Sequence, residues 1–245
     1  MKNIKMIFFD YGNTLVYEKV AHGPKTLAEI YQTIENPKLG LKEFYTSFKE
    51  KVRAYQNEYF PKDRDFLYDK VFQEVFEENG LKSALSFEAM VKSYFDTHAQ
   101  GFAMEGAKEL LAYLEEKNLA YGVISNISIS ENVLSQRLKE VLDRDIDLVI
   151  SSGDRYYRKP DRKIFTLAAD LAGFSLDQCL YIGDNPLCDY KGPKDAGMEA
   201  IFFDSPTFSP FVTAREKIFL EEGIIRVNKL LDIIKILEGD INDRR

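Results

Sequence analysis

Ile4-Lys5-Met6-Ile7-Phe8-Phe9-Asp10-Tyr11-Gly12-Asn13-Thr14-Leu15 is the stretch that decides the fold. Its apolar run is too short and too quickly acidic for anything but a buried strand, and Asp10 ends that strand and opens a Gly/Asn turn. A carboxylate at the carboxyl end of a first strand sits where open α/β sheets gather their ligands. It can act as a nucleophile or a metal ligand, and a phosphoryl-transfer enzyme uses it as both.

Downstream, the pattern from about Tyr17 to about Gln100 is helical. Leu41, Phe44, Tyr45, Phe48, Val52, Tyr55 and Tyr59 recur at three- and four-residue steps. Leu67, Val71, Phe72, Val75 and Phe76 repeat the rhythm, with Asn79-Gly80 as a stop, and no strand is expected in this block. From about Glu105 strands and helices alternate. Strands are expected at Ala120–Ile124, Leu148–Ile150, Cys179–Ile182 and Ala200–Phe203. Helices are expected near Ala107–Lys117, Glu131–Leu142, Asp161–Ala172 (closed by Gly173), Tyr190–Ala196 and Arg226–Leu237. Alternation with short loops predicts an α/β fold, a doubly wound parallel sheet. The first strand then belongs to a sheet resumed some hundred residues later. Residues 1–16 plus 101–245 are expected to form the core and 17–100 an inserted all-helical cap.

The 245 residues carry a net charge of −7, which argues against nucleic acid as the main partner, since that binding runs on clustered cations. Cys179 and Cys188 give neither metal spacing nor a disulfide framework. Two histidines, His22 and His98, exclude a multi-histidine metal site. No run approaches the length of a membrane span and the N-terminus is no signal peptide, so a soluble cytoplasmic protein is expected. The oligomeric state is not legible.

The chemistry-bearing residues all follow predicted strands or precede helices: Asp10; Ser125-Asn126; Lys159-Pro160 before the helix at Asp161; Gly183-Asp184; and Asp189 five residues on. In a parallel sheet such ends share one rim. Asp10 and Asp184 can hold Mg²⁺, a hard cation that takes carboxylate, carbonyl, water and phosphate oxygens. Ser125 can donate to phosphate oxygens, and Lys159 can balance the carboxylates. Plainer uses stand beside these: Asp184 as a helix cap, Asp189 as a favourable acid in a first turn, Thr14 as a turn residue. Arg158 reads as surface. The aromatic stripe from Phe44 to Tyr59 reads as cap core, with a pocket lined by Tyr55, Tyr59 and Arg53 as the alternative.

This ordered set resembles the haloacid dehalogenase superfamily of phosphohydrolases. The trailing Gly192 and Ala196-Gly197-Met198 fit the continuation of its fourth motif, and the insertion is similar to the small cap of the phosphoglycolate phosphatase-like branch. The resemblance implies a Rossmann-like core and a Mg²⁺ site of Asp10, the carbonyl of Gly12 and Asp184, with Asp189 beside it. It implies a small phosphorylated substrate bound through Thr14, Ser125 and Asn126, and catalysis by Asp10 and Lys159.

The chain departs from that family at Gly12, where phosphatases usually carry the aspartate that serves as general acid and base. Losing such a group costs about 10²–10⁴ in rate. Three readings follow: a phosphatase with water or another side chain such as Tyr17 or Glu18 moving the proton; a dehalogenase- or phosphonatase-like hydrolase; or a non-catalytic binder of phospho-ligands or partners. Lys19 and Lys25 offer no recognisable phosphonatase motif, and the acids at 184 and 189 fit a metal-free dehalogenase poorly.

Overall fold

The computed structural model describes residues 3–204 and 224–239. Its main sheet has six strands: β1 (Met6–Phe9), β4 (Ala120–Ser125), β5 (Val149–Ser151), β6 (Cys179–Gly183), β7 (Glu199–Phe203) and β8 (Arg226–Val227). They run parallel in the order β5-β4-β1-β6-β7-β8. The first strand in sequence is thus central, flanked by strands more than a hundred residues away.

β1 shows why its sequence reads as an unbroken apolar run. Ile7 and Phe9 enter one apolar cluster while Met6 and Phe8 enter another on the opposite face. A strand covered by helices on both sides has no polar face to alternate with. The first cluster includes Leu110 and Leu114 of α5 (Ala107–Glu116) and Val133, Leu134 and Leu138 of α6 (Glu131–Leu142). The second includes Ile164, Phe165 and Ala168 of α8 (Arg162–Ala172).

Between β1 and α5 the chain leaves the sheet through a two-stranded antiparallel ribbon, β2 (Val16–Val20) with β3 (Ala99–Ala103). Beyond it lie α1 (Ala28–Gln32), α2 (Leu41–Tyr59), α3 (Tyr68–Asn79) and α4 (Phe87–His98). Phe48 of α2 packs on Phe72 of α3 and Tyr94 of α4 at ring separations of 4.6 and 4.9 Å. Gly80 ends α3 in the left-handed conformation, as the Asn-Gly stop predicts.

Three expectations need correction. The block from Tyr17 is not free of strands: β2 and the start of β3 fall in it. Val16-Tyr17-Glu18-Lys19-Val20 is short, half polar and paired across some eighty residues, so no local pattern betrays it. The expected helix at Arg226–Leu237 begins as edge strand β8, and the helix α10 covers only Asp232–Glu238. Val227, Leu230 and Ile233 are all buried at three-residue spacing, which imitates a helical face. The helix expected at Tyr190 starts earlier, as a wide turn over Pro186–Lys191 leading into α9 (Gly192–Ala196). Its cap is Asn185, whose side chain accepts from the N–H groups of Leu187 and Cys188. α7 (Ser152–Arg155) was not anticipated.

Candidate active site

The sheet register sets the site. Phe9 pairs with Val123 and Ile182, so Asp10 emerges level with the ends of β4 and β6, and its N–H donates to the Ile182 carbonyl at 2.9 Å. The turn closes tightly, with both Leu15 and Val16 N–H donating to Tyr11 O. Asn13 takes φ 56°, a left-handed conformation its short polar side chain tolerates.

Lys159 brings the rim together. Its Nζ donates to Asp10 Oδ1 at 2.7 Å, to Asp189 Oδ1 at 2.6 Å and to the Tyr181 hydroxyl at 2.6 Å. Tyr181 in turn donates to the Ile124 carbonyl at 2.8 Å. Asp189 accepts from the Asn185 N–H at 2.9 Å with its other oxygen. That approach depends on Gly183, where a Cβ would lie 2.5 Å from the Cβ of Asp189. Ser125, the last residue of β4, and Thr14 are both buried at this end of the sheet. The Thr14 hydroxyl has no hydrogen-bond partner among the described residues.

The Asn126 side chain bonds to the backbone of Lys159. Its side-chain oxygen accepts from Lys159 N at 2.7 Å and its amide donates to Lys159 O at 2.8 Å. It therefore ties the end of β4 to the lysine loop. Cys188 lies against the same carbonyl at 3.3 Å, and burial pushes its thiol up to about 12, which makes it inert packing.

Asp10, Asp184 and Asp189 each offer an oxygen within 4.8 Å of the others, and all three are buried. Among the described residues, three buried carboxylates converge on the ammonium of Lys159. Burial accordingly raises the Asp10 carboxyl to about 6, against the pull of Lys159. Burial alone would depress the Lys159 ammonium, but Asp10, Asp189 and Tyr181 outweigh it and hold it well above its ordinary value. A set of three carboxylate oxygens within 4.8 Å of one another fits a hard divalent cation. At Gly12 a Cβ would meet nothing within 4 Å, so the place of a second acid is open space.

Other sequence candidates lie elsewhere. Glu18 accepts from the Tyr11 hydroxyl at 2.9 Å and from Arg137 at 3.0 Å, so it braces the ribbon instead of reaching Asp10. Tyr17 stacks on Phe102, and Lys19 sits over the same ring. Tyr55 and Tyr59 stack on each other and pack at a tilt against Phe66, as cap core, while Arg53 is exposed. His22 meets His98 edge-on. Arg158 is not a surface residue: its side chain is 19% exposed and paired with the fully buried Asp65. Tyr181 was missed, although a tyrosine in a fully buried strand must find a partner for its hydroxyl. Asp65 carried no sequence signal beyond its place between two aromatic helices.

The profile of the haloacid dehalogenase-like hydrolase family matches residues 4–197. The human haloacid dehalogenase-like hydrolase domain-containing protein 3 is 30% identical over 142 residues, 56% of this chain and 53% of its own. A phosphoserine phosphatase of Thermus thermophilus is 25% identical over 64% of this chain and 65% of its own. In these two matches the chain therefore spans less than two thirds of its relative. A glyceraldehyde 3-phosphate phosphatase of Pyrococcus furiosus is 22% identical over 98% and 96%. Among solved structures, a 2-haloacid dehalogenase from Pseudomonas syringae superposes with a TM-score of 0.60 at 18% identity, covering 97% of this chain and 100% of its own. No described helix is long and apolar enough to cross a membrane. With the family profile spanning most of the sequence and the sheet, ribbon and rim arranged as described, this chain belongs to the haloacid dehalogenase-like hydrolase family.

Proposed function

We infer that this hydrolase is a Mg²⁺-dependent phosphatase that acts on a small phosphorylated metabolite through a phosphoryl-Asp10 intermediate. The observation that carries the reading is the single ammonium of Lys159 bridging Asp10 and Asp189 beside Asp184. The names of the Thermus and Pyrococcus relatives support it.

Asp10, Asp184 and the carbonyl of Gly12 would hold the cation, with Asp189 alongside. When bound, Mg²⁺ neutralises the oxygens of the transferring group. Asp10 attacks phosphorus, the bond to the leaving oxygen breaks, and that oxygen takes a proton from water. A second water then attacks the phosphorylated Asp10, releasing phosphate and regenerating the carboxylate. Lys159 keeps Asp10 oriented and ionised, Tyr181 fixes the lysine, and Ser125 and the buried Thr14 hydroxyl donate to the phosphate. The inserted segment 17–100, with its helices α1 to α4, acts as a cap over this rim. Asn126 positions Lys159.

Release of phosphate from p-nitrophenyl phosphate and from a panel of phosphometabolites, with and without Mg²⁺, tests the reading. Turnover that needs the metal and disappears in Asp10→Asn supports it; no turnover with any member of the panel sinks it. Gly12 favours a second reading, hydrolysis of a bond whose leaving group needs no acid. Halide release from 2-haloacids without phosphate turnover would select that one.

A further inference from the structure

A second polar cluster lies outside the catalytic rim. Asp65, in the segment between α2 and α3, is fully buried, and its carboxylate accepts four hydrogen bonds. Oδ1 takes Phe66 N–H at 2.8 Å and the Ser128 hydroxyl at 2.6 Å. Oδ2 takes the Ser152 hydroxyl and the Arg158 guanidinium, both at 2.5 Å. Three of the four donors belong to the sheet-bearing part of the chain: Ser128 in the loop after β4, Ser152 at the start of α7 just after β5, and Arg158 in the loop before α8.

The neighbouring contacts repeat the arrangement. Arg158 lies over the Phe60 ring at 3.9 Å, and its N–H donates to the Asp63 carbonyl. Tyr68 N–H donates to Ser128 O, and Gly153 is so close to Leu67 that a Cβ there would come within 2.9 Å of its side chain. Phe66, next to Asp65, is buried among Tyr55, Phe60 and Tyr68. One residue is thus anchored in the aromatic core of the insertion and the next in the loops of the sheet.

Those loops are the ones that carry the proposed catalytic groups. Arg158 precedes Lys159, and Ser128 lies three residues after Ser125. Every backbone polar group of Arg158 and Lys159 is bonded: Arg158 N–H to Asp63, Arg158 O from Asp161 N–H, and both groups of Lys159 to Asn126. A buried ion pair is a weak source of stability, since desolvation offsets its attraction; fixed geometry is what such a pair supplies best. We propose that Asp65 is a positioning residue, which acts through Arg158, Ser128 and Ser152 to hold the Ser125 and Lys159 loops in register with Asp10. The inserted segment would then complete the site from behind as well as cover it.

This inference rests on the assignment of Ser125 and Lys159 above, and its test separates the two. The full chain and its Asp65→Asn, Arg158→Gln and Arg158→Lys variants are compared in p-nitrophenyl phosphate hydrolysis with Mg²⁺ and in backbone hydrogen exchange. Misplacement of about 1 Å costs up to roughly hundredfold, so Asp65→Asn is expected to lower kcat by about tenfold to hundredfold with little change in KM. Exchange should rise selectively in residues 125–129 and 157–161. Arg158→Lys, which keeps a cation for Asp65, should retain more activity than Arg158→Gln. A folded Asp65→Asn protein with wild-type kcat, or one whose two loops exchange as in the wild type, overturns the proposal. If Asp65→Asn does not fold, Ser128→Ala and Ser152→Ala, each removing one donor, are read in the same way. If the wild type hydrolyses no phosphate ester, the phosphatase reading fails alone, and faster exchange at the two loops still decides for the clamp, unchanged exchange against it.

Discussion

Lys159 Nζ and Asp10 Oδ1 lie 2.7 Å apart although 149 residues separate them in sequence. Both are buried, and among the described residues the other carboxylate within salt-bridge distance of this ammonium is Asp189. Replacing the lysine strands two buried carboxylates. Lys159→Met is expected to destabilise the metal-free protein by about 3–5 kcal/mol, with Mg²⁺ restoring part of the loss. Urea unfolding with chelator and with Mg²⁺ checks this; equal stability of variant and wild type in chelator would contradict it.

Asp10 gives a pH signature. Its carboxyl stands near 6 in the metal-free fold, raised by burial from 3.8. A raised acid binds its proton more tightly when folded, so its contribution to stability is present below about 4 and lost as pH rises through about 6. Lys159, displaced upward, is ionised throughout that window and adds no slope. Asp10→Asn should therefore stabilise the chelated protein more at pH 7.5 than at pH 4.5, by about 2 kcal/mol. A pH-independent difference between the two melting curves would refute the assignment.

Gly12 leaves room for the acid it lacks. Nothing lies within 4 Å of the position a Cβ would take, and its φ is not in the left-handed range. Gly12→Asp is expected to fold with unchanged melting temperature and to raise phosphatase kcat by about tenfold or more. No gain in a folded variant would show that proton transfer does not limit turnover.

Gly183 is the opposite case. A methyl there would collide with Asp189 at 2.5 Å. Gly183→Ala should cost about 1–3 kcal/mol and, by displacing the partner of Lys159, at least tenfold in kcat. Activity close to wild type would mean that Asp189 can move without consequence.

Arg137 is buried where α6 meets the ribbon. It donates to Ala99 O at 2.6 Å and pairs with Glu18 and Asp96. Arg137→Met leaves those acceptors unmet in a half-dry place and is expected to lower stability by about 2–4 kcal/mol. A loss below about 0.5 kcal/mol in chemical denaturation would show that the ribbon is held by packing alone.

What was legible in the sequence follows from range. α6 and the β4, β6 and β7 strands announce themselves through local period and caps, and the ends of the strands then place Asp10, Ser125, Lys159 and Asp184 on one rim. The ribbon β2–β3 was not legible, because its pairing spans some eighty residues and its composition is half polar. Asp65 and Arg158 escaped for the same reason: each looks like a solvated charge until its partner, 93 residues away, is placed beside it. Asn126 was visible as a site residue, but its two bonds to the Lys159 backbone were not.

Acid quenching during turnover of p-nitrophenyl phosphate with Mg²⁺, followed by peptide mass analysis, shows whether Asp10 becomes phosphorylated. Gly12 offers no base to activate the second water, so the phosphorylated enzyme should accumulate. One phosphoryl group is expected on Asp10 in a substantial fraction of the chains. Sustained phosphate release with Asp10 unmodified, or with the label on another residue, would contradict a phosphoryl-Asp10 intermediate.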